Sequence, residues 1–387
     1  MRILSPSLIV ALVLGLGATH AAAQVPYVFT PGSPAKAAEV NANLDYLVQR
    51  IAALEQRVTS LEAANARLSA MAAYVQVQPG ALNGLPGPHI IFTGVNVHVR
   101  GTGPATTAAD GTGNLIVGWN ELPAQGPSVR TGSNNLVVGP GHQFSAVGGI
   151  VGGFENSVLG NYAAIIGGAN NTASGEHSSV TGGTANVASG PHSTVTGGFN
   201  NTASAVSAVV SGGSSNLAGG YAAVVSAGYG NQANIGDYSA ISGGVTNIAF
   251  GEGAAVCGGT KNNAWAQYST IAGGHQNTVN GAFGTLVGGE ANRANADSAT
   301  ICGGGGNLAG DPDHGVSVDS TGSHASVCGG VNNVASGPYS SVGGGSFNRA
   351  SGYGADVCGG TENVAAGDFS TVAGGSQRTE TGYASYP

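Results

Sequence analysis

The chain has 387 residues, of which 69 are glycine, while charged residues make up 8% and aromatic residues 6%. Glycine usually stands near 7%, but no Gly-X-Y triplet runs through the chain, which excludes collagen, and a hydrophobic content of 41% excludes plain disorder. A net charge of −8, with 11 Lys and Arg in no basic cluster, argues against nucleic acid and against an anionic membrane surface.

Residues 1–23 read as a secretory signal peptide. Arg2 supplies the positive start, Leu8 to Ala18 the apolar run, and Ala21-Ala22-Ala23 the small-residue cleavage site before Gln24. The apolar run is too short to span a membrane, and no later segment reaches the ~20 apolar residues of a membrane helix. The expectation is export, to the extracellular space or a bacterial cell surface, with no membrane span in the mature chain.

Residues 24–32 form a short Pro/Gly-containing segment, and 33–72 carry a coiled-coil pattern. Ser33 is positioned to cap a helix with Pro34 at its first turn. Leu44, Leu47, Ile51, Leu54, Val58, Leu61, Asn65 and Leu68 alternate in steps of three and four, an oligomerisation seam. Arg50 and Arg57 stand five residues before Glu55 and Glu62, the spacing of charge pairs between parallel helices. β-branched residues and Asn65 in the seam favour two strands by the simple rules.

Residues 73–145 are a transitional β segment. IIFTGVNVHV (90–99) alternates like a strand, and NLIVGWNE (114–121) and NLVVGPG (135–141) look like degenerate first copies of the repeat that follows. From 146 to 387 the chain is a repeat array, interrupted by an insertion near 310–324. Glycine pairs recur every 15 residues, with one step of 16 before Gly243 and one of 26 before Gly329. Two residues before each pair stands an aliphatic, from Ile150 and Ile165 through Val180 to Val372. Four residues after the first glycine stands an asparagine: Asn156, Asn171, Asn186, Asn201, Asn216, Asn231, Asn247, Asn262, Asn277, Asn292, Asn307, Asn333, Asn348 and Asn363. The last copy replaces it with Arg378 and places Glu380 where other copies have Ala or Val, as a polar cap would.

A unit of 15 residues is too short for a helix pair. It accommodates two short strands and their turns, so the array is expected to be an all-β solenoid of parallel coils about 4.8 Å apart. The aliphatic and the alanine point inward, Gly-Gly forms one turn, and the asparagine takes left-handed angles at another. In register the asparagines stack as a structural ladder, each amide bonding the next. One large apolar residue per coil makes a thin core, which lateral burial against sister chains would relieve.

The pattern (S/T)-V-x-G-G-x-x-N-x-A-S-G resembles the YadA-like head repeats of trimeric autotransporter adhesins. The resemblance covers roughly 146–387 and implies a left-handed parallel β-roll, a homotrimer and a surface adhesive role. In that family the head precedes the stalk, whereas here the coil comes first. No C-terminal membrane-anchor segment follows the repeats, so self-anchoring is not implied. The seam rules favour a dimer and the resemblance a trimer; self is the expected partner, with an extracellular protein or glycan as receptor.

Chemistry-bearing residues are sparse. Cys257, Cys302, Cys328 and Cys358 all stand just before a glycine pair and read as buried free thiols. Cys302 and Cys328 occupy successive coils, within the Cα window of a disulfide but with side chains pointing the same way. No Cys/His spacing suggests zinc. In the insertion, Asp311, Asp313, His314, Asp319 and His324 match no calcium loop and read as solvated. GGGGNLAG (303–310) is an ordinary repeat copy, and no nucleophile elbow or H-E-x-x-H is present. His177 and His192 share one slot with Tyr339, a surface stack rather than a catalytic pair. The leading expectation is a non-enzymatic, adhesin-like or surface-structural rod with no cofactor, metal or catalytic residues. The alternatives are an ice-binding solenoid, from the hydroxyl row Thr181, Thr196, Ser211, Ser226 and Ser242, and a polysaccharide-active solenoid enzyme.

Overall fold

The computed structural model describes residues 25–102, 106–107, 109–124, 128–312 and 322–384. The segment 1–23, expected to be a signal peptide, lies outside the described residues, as do Asp313, His314 and Asp319 of the insertion. The chain divides into two units, Met1–His98 and Val99–Pro387.

The first unit contains helix α1 (Ala37–Ala72), 36 residues and about 54 Å long at 1.5 Å per residue. It starts later than Ser33. Gly32 takes a φ of +86° and the Ser33 amide donates to the Thr30 carbonyl at 3.3 Å, so Ser33 is spent in its own turn. Lys36 is the extended residue before the helix and makes no side-chain cap. Upstream, Asn43 holds Tyr27 through two bonds, accepting from its amide at 2.9 Å and donating to its carbonyl at 2.7 Å. No residue of α1 is buried. The seam leucines, isoleucine and valine are exposed by 45% at Leu47 to 64% at Leu68, and Asn65 is exposed beside them. After α1 comes an antiparallel pair, β1 (Val75–Gln78) and β2 (His89–Phe92), in which Val75 faces Phe92. The strand expected over 90–99 therefore ends at Phe92; Gly94, at a φ of +69°, turns the chain away.

The second unit is an all-β parallel solenoid of about sixteen coils. Its first ladder runs from Leu115–Val117 to Thr371–Val372, and its second from Gln143–Phe144 to Thr379–Glu380. Seventeen strands in the first ladder, spaced at about 4.8 Å, give a stack on the order of 75 Å. A third column of single bridges, from Phe154↔Ala169 to Thr361↔Ser376, closes each coil between the two ladders. The degenerate copies around Leu115 and Leu136 are the first two strands of the stack.

Successive copies pair in strict register, Val180 with Val195 and Ala188 with Ala203, so identical slots form straight columns. The inward columns are small: a Val, Ile or Leu on the first ladder, an Ala or Val on the second after Phe144 at its start, and Ser, Ala or Gly at the corner before the first strand. The first full copy departs from its expected register. Val151, not Ile150, pairs with Ile165 and is buried, because the step from Val151 to Ile165, like that from Val137 to Val151, is one residue short. Ile150 is 40% exposed. The irregular steps are absorbed outside the ladders. The 16-residue coil ejects Ile235 between Ala233 and Ala240, and the 26-residue step leaves Leu308 paired with Val334.

The two glycines of each pair do different work. A Cβ on Gly183 would lie 2.2 Å from the Gly198 carbonyl oxygen, and its φ is +84°; a Cβ on Gly182 would meet nothing within 4 Å. Only the second glycine is compulsory, which explains why Ala227 substitutes for the first in the sixth copy.

The asparagine column is fully buried. Its bonding differs from an amide-to-amide stack. Asn201 Oδ1 accepts from the Asn216 backbone amide at 3.0 Å, and its Nδ2 donates to the carbonyls of Gly197 (2.9 Å) and Gly213 (3.0 Å). The same trio repeats from Asn156 to Asn363; direct amide-to-amide contacts occur only at Asn216→Asn201 and Asn348→Asn333, both 3.2 Å. The left-handed residue is not the asparagine but its predecessor, such as Ala185 (φ +57°), Asn200 (+55°) or Lys261 (+56°). That residue turns the chain so that the asparagine side chain can face inward.

Asn201→Ala removes four bonds and leaves the buried Asn216 amide and the Gly197 carbonyl without these partners, so unfolding free energy should fall by roughly 2–4 kcal/mol in denaturant titrations. The opposite holds at the neighbouring corner. The hydroxyls of Ser178, Ser193 and Ser239 are buried without partners, and Ala163, Ala208 and Ala223 fill the same slot. Ser193→Ala should therefore be neutral or stabilising by up to about 1 kcal/mol in the same titration.

Candidate functional surface

With the interior committed to stacking, chemistry must come from the outward columns and from the ends of the array. The slot following each buried Val or Ile of the first ladder points out, because strand side chains alternate. Thr181, Thr196, Ser211, Ser226 and Ser242 occupy it in consecutive coils, and Cys257, Ala272, Val287, Cys302 and Cys328 continue it, all exposed. The four cysteines are thus exposed free thiols, not buried ones. The expectation of burial placed the slot on the wrong side of a two-residue strand.

A corner of the coil carries rings. Tyr162, His177 and His192 stack with centroids 5.1 Å apart and planes within 15°. Stacking within the slot resumes with Tyr268 and Phe283 at 5.3 Å, then His324 on Tyr339 at 4.8 Å and 6°. His324 is thereby a member of this column, its amide donating to the Asp297 carbonyl at 2.9 Å. Asp311 lies at the edge of the insertion, where its carbonyl accepts from Asn295 Nδ2 at 3.0 Å. These ring residues also take positive φ, between +53° at Tyr268 and +60° at Tyr339. Each amide is held by a carbonyl of the coil before, as His177 is by Asn161 at 2.9 Å. The sequence signal for the column was available in the recurrence of aromatics two residues after the Ser-Gly pairs.

At the N-terminal end of the stack the polar groups are denser. The Asp110 carboxylate accepts from the amides and hydroxyls of Thr102 and Thr112 and from the Ser133 hydroxyl, which holds its pKa far below the usual carboxylate range. Nearby, Gln143, Glu155, Ser157 and Asn170 with Pro123, Ala124 and Gly141 line an open hollow of about 470 Å³. Glu155 accepts from the Ala124 amide at 3.0 Å across it.

His142 is the residue that sequence reasoning missed. It is fully buried and starts the ladder: its Nδ1 accepts from the Asn156 amide at 3.2 Å, the role asparagine Oδ1 plays in every later coil. Its Nε2 donates to the Val138 carbonyl at 3.0 Å. Burial, reinforced by the Arg130 charge, lowers its pKa below the ordinary 6.5. Protonating Nδ1 would set a donor against the Asn156 donor.

Among the described residues no group of three or more His, Cys, Asp or Glu is arranged to hold a metal ion, and no helix is long and apolar enough to cross a membrane. No protein-family model matches the chain, and no curated protein matches it.

The unfolded chain protonates His142 at the ordinary value near 6.5, the folded chain only at lower pH. Stability is therefore full above about 6.5 and declines as pH falls through that value toward the lowered one. His142→Asn, which supplies an amide oxygen to the same rung, should reduce the loss of melting temperature between pH 7.5 and 5.0. An equal loss in both proteins would refute this role.

Proposed function

We propose that this chain is an exported, non-enzymatic, oligomeric protein whose solenoid presents a repetitive adhesive or structural surface. The observation that carries the reading is the bare seam of α1: 36 helical residues with none buried, and a row of exposed apolar residues on one stripe, interrupted only by Asn65. A lone helix of this kind leaves its apolar stripe in water, and a parallel assembly of copies covers it. Copies joined there bring several arrays together, each repeating the same outward columns coil after coil. Contacts that are weak singly then act jointly. The likeness of the repeat to YadA-like heads supports three copies and a left-handed roll, and the N-terminal leader supports delivery to a bacterial surface.

The double variant Ile51→Asn with Leu54→Asn should convert the mature protein from an oligomer, expected as a trimer, to a monomer by light scattering, with the solenoid's circular dichroism retained. A monomeric parent protein would sink the assembly. Binding to arrayed matrix proteins and glycans should fall by about tenfold or more in the monomeric variant, because avidity is lost. No binding by the parent to any arrayed ligand would leave a structural role alone.

A further inference from the structure

All four cysteines of this chain sit in one outward column, yet only two are neighbours. Ile301 pairs with Val327, so Cys302 and Cys328, one residue further on, stand side by side on adjacent strands. The Cys302 amide donates to the Val327 carbonyl at 3.0 Å, and the Cys328 amide to the Val342 carbonyl at 3.0 Å, which locks both into the ladder. Cys257 has Ser242 and Ala272 as its column neighbours, and Cys358 has Gly343 and Ala373. Both thiols of the pair are exposed and free. The glycines that follow, Gly303 and Gly329, have no atom within 4 Å of the place a Cβ would take, so nothing crowds the pair on that side. Thr300 and Ser326 flank it on the other, uncharged and half-buried.

Parallel strands in register keep equivalent side chains about 4.8 Å apart. A disulfide requires the Cβ atoms to close to about 3.8 Å, against the pairing of Ile301 with Val327 inside and the Asn307–Asn333 rung, whose amide bond is 3.0 Å. Two metal–thiolate bonds of about 2.3 Å laid end to end span ~4.6 Å, close to the strand spacing. Among the described residues no third or fourth donor is grouped with the pair, so a tetrahedral ion such as zinc is left under-coordinated by them. Soft ions that accept two thiolates in a line are not.

We propose that Cys302 and Cys328 form a two-coordinate site for a soft monovalent cation of the Cu(I) or Ag(I) class. On binding, each thiol releases its proton to solvent and two metal–sulfur bonds form. No oxidation accompanies the step, and the site carries one negative charge when filled.

The test uses the full-length protein, reduced, with one equivalent of Ag(I) as the redox-inert probe. Alkylation by iodoacetamide is then mapped by peptide mass spectrometry. Cys302 and Cys328 should lose reactivity together, by about tenfold or more as thiolates are withdrawn, while Cys257 and Cys358 react as before. One equivalent of Zn(II) should protect none of the four. Cys302→Ala places a residue already found in this column at Ala272 and Ala373, so the fold is expected to keep its melting temperature. In that variant Cys328 should lose its protection. The site is refuted if silver protects all four cysteines alike, if Cys328 stays protected in Cys302→Ala, or if none of the four reacts without metal. Formation of a Cys302–Cys328 disulfide on exposure to air would refute the geometric argument as well.

Discussion

One hydrogen bond organises the solenoid: an asparagine side-chain oxygen accepting the backbone amide of the asparagine one coil later, near 3.0 Å from Asn156 to Arg378. The coil turns at this point, and a turning backbone cannot bond to itself as a strand does. The asparagine supplies what the turn lacks. Its oxygen serves the next coil's amide, and its nitrogen satisfies two glycine carbonyls, one in its own coil and one in the next. A single side chain thereby closes a coil and sets the register between coils. Few other residues combine an acceptor and two donors in so small a volume. Arg378 still offers its amide to Asn363 but has no oxygen to pass the chain of bonds onward.

The remaining pattern follows from that constraint. The asparagine must face inward, so its predecessor takes left-handed angles and faces out, where Ala, Ser, Lys, Gln, Glu and Phe are all accommodated. The second glycine of each pair must have no Cβ, because the next coil's carbonyl lies 2.1–2.3 Å from where it would stand in most coils. The core needs only one branched aliphatic per coil, since the polar ladder occupies the remaining interior. Irregular lengths are tolerated wherever they leave the rung intact. Across the 26-residue step Asn333 still donates its amide to Asn307 at 3.0 Å.

This division accounts for how far the sequence was readable. The period and most of the inward columns were legible because every inward slot is restricted by its copies above and below. The outward slots carry no such restriction. The cysteines were misjudged because a strand of two residues gives alternation too little length to show itself. His142 escaped notice because it performs the asparagine's task with a different chemistry, at a coil whose repeat is degenerate. The shift from Ile150 to Val151 arose where one residue is missing from the step, and a spacing rule alone cannot say which side of the gap absorbs it.

By itself, the sequence determined a parallel β-solenoid with a 15-residue coil and a preceding helix bearing an apolar stripe. Repetition makes each slot's environment a copy of itself, so composition along a column reports burial directly. Only the tertiary structure decided how the asparagines bond, which glycine of each pair is indispensable and which side chains become neighbours across coils. Those outcomes depend on where a backbone oxygen or amide lies within a few tenths of an ångström. Spacing along a chain does not carry information of that kind, and it appears only when one coil is laid on the next.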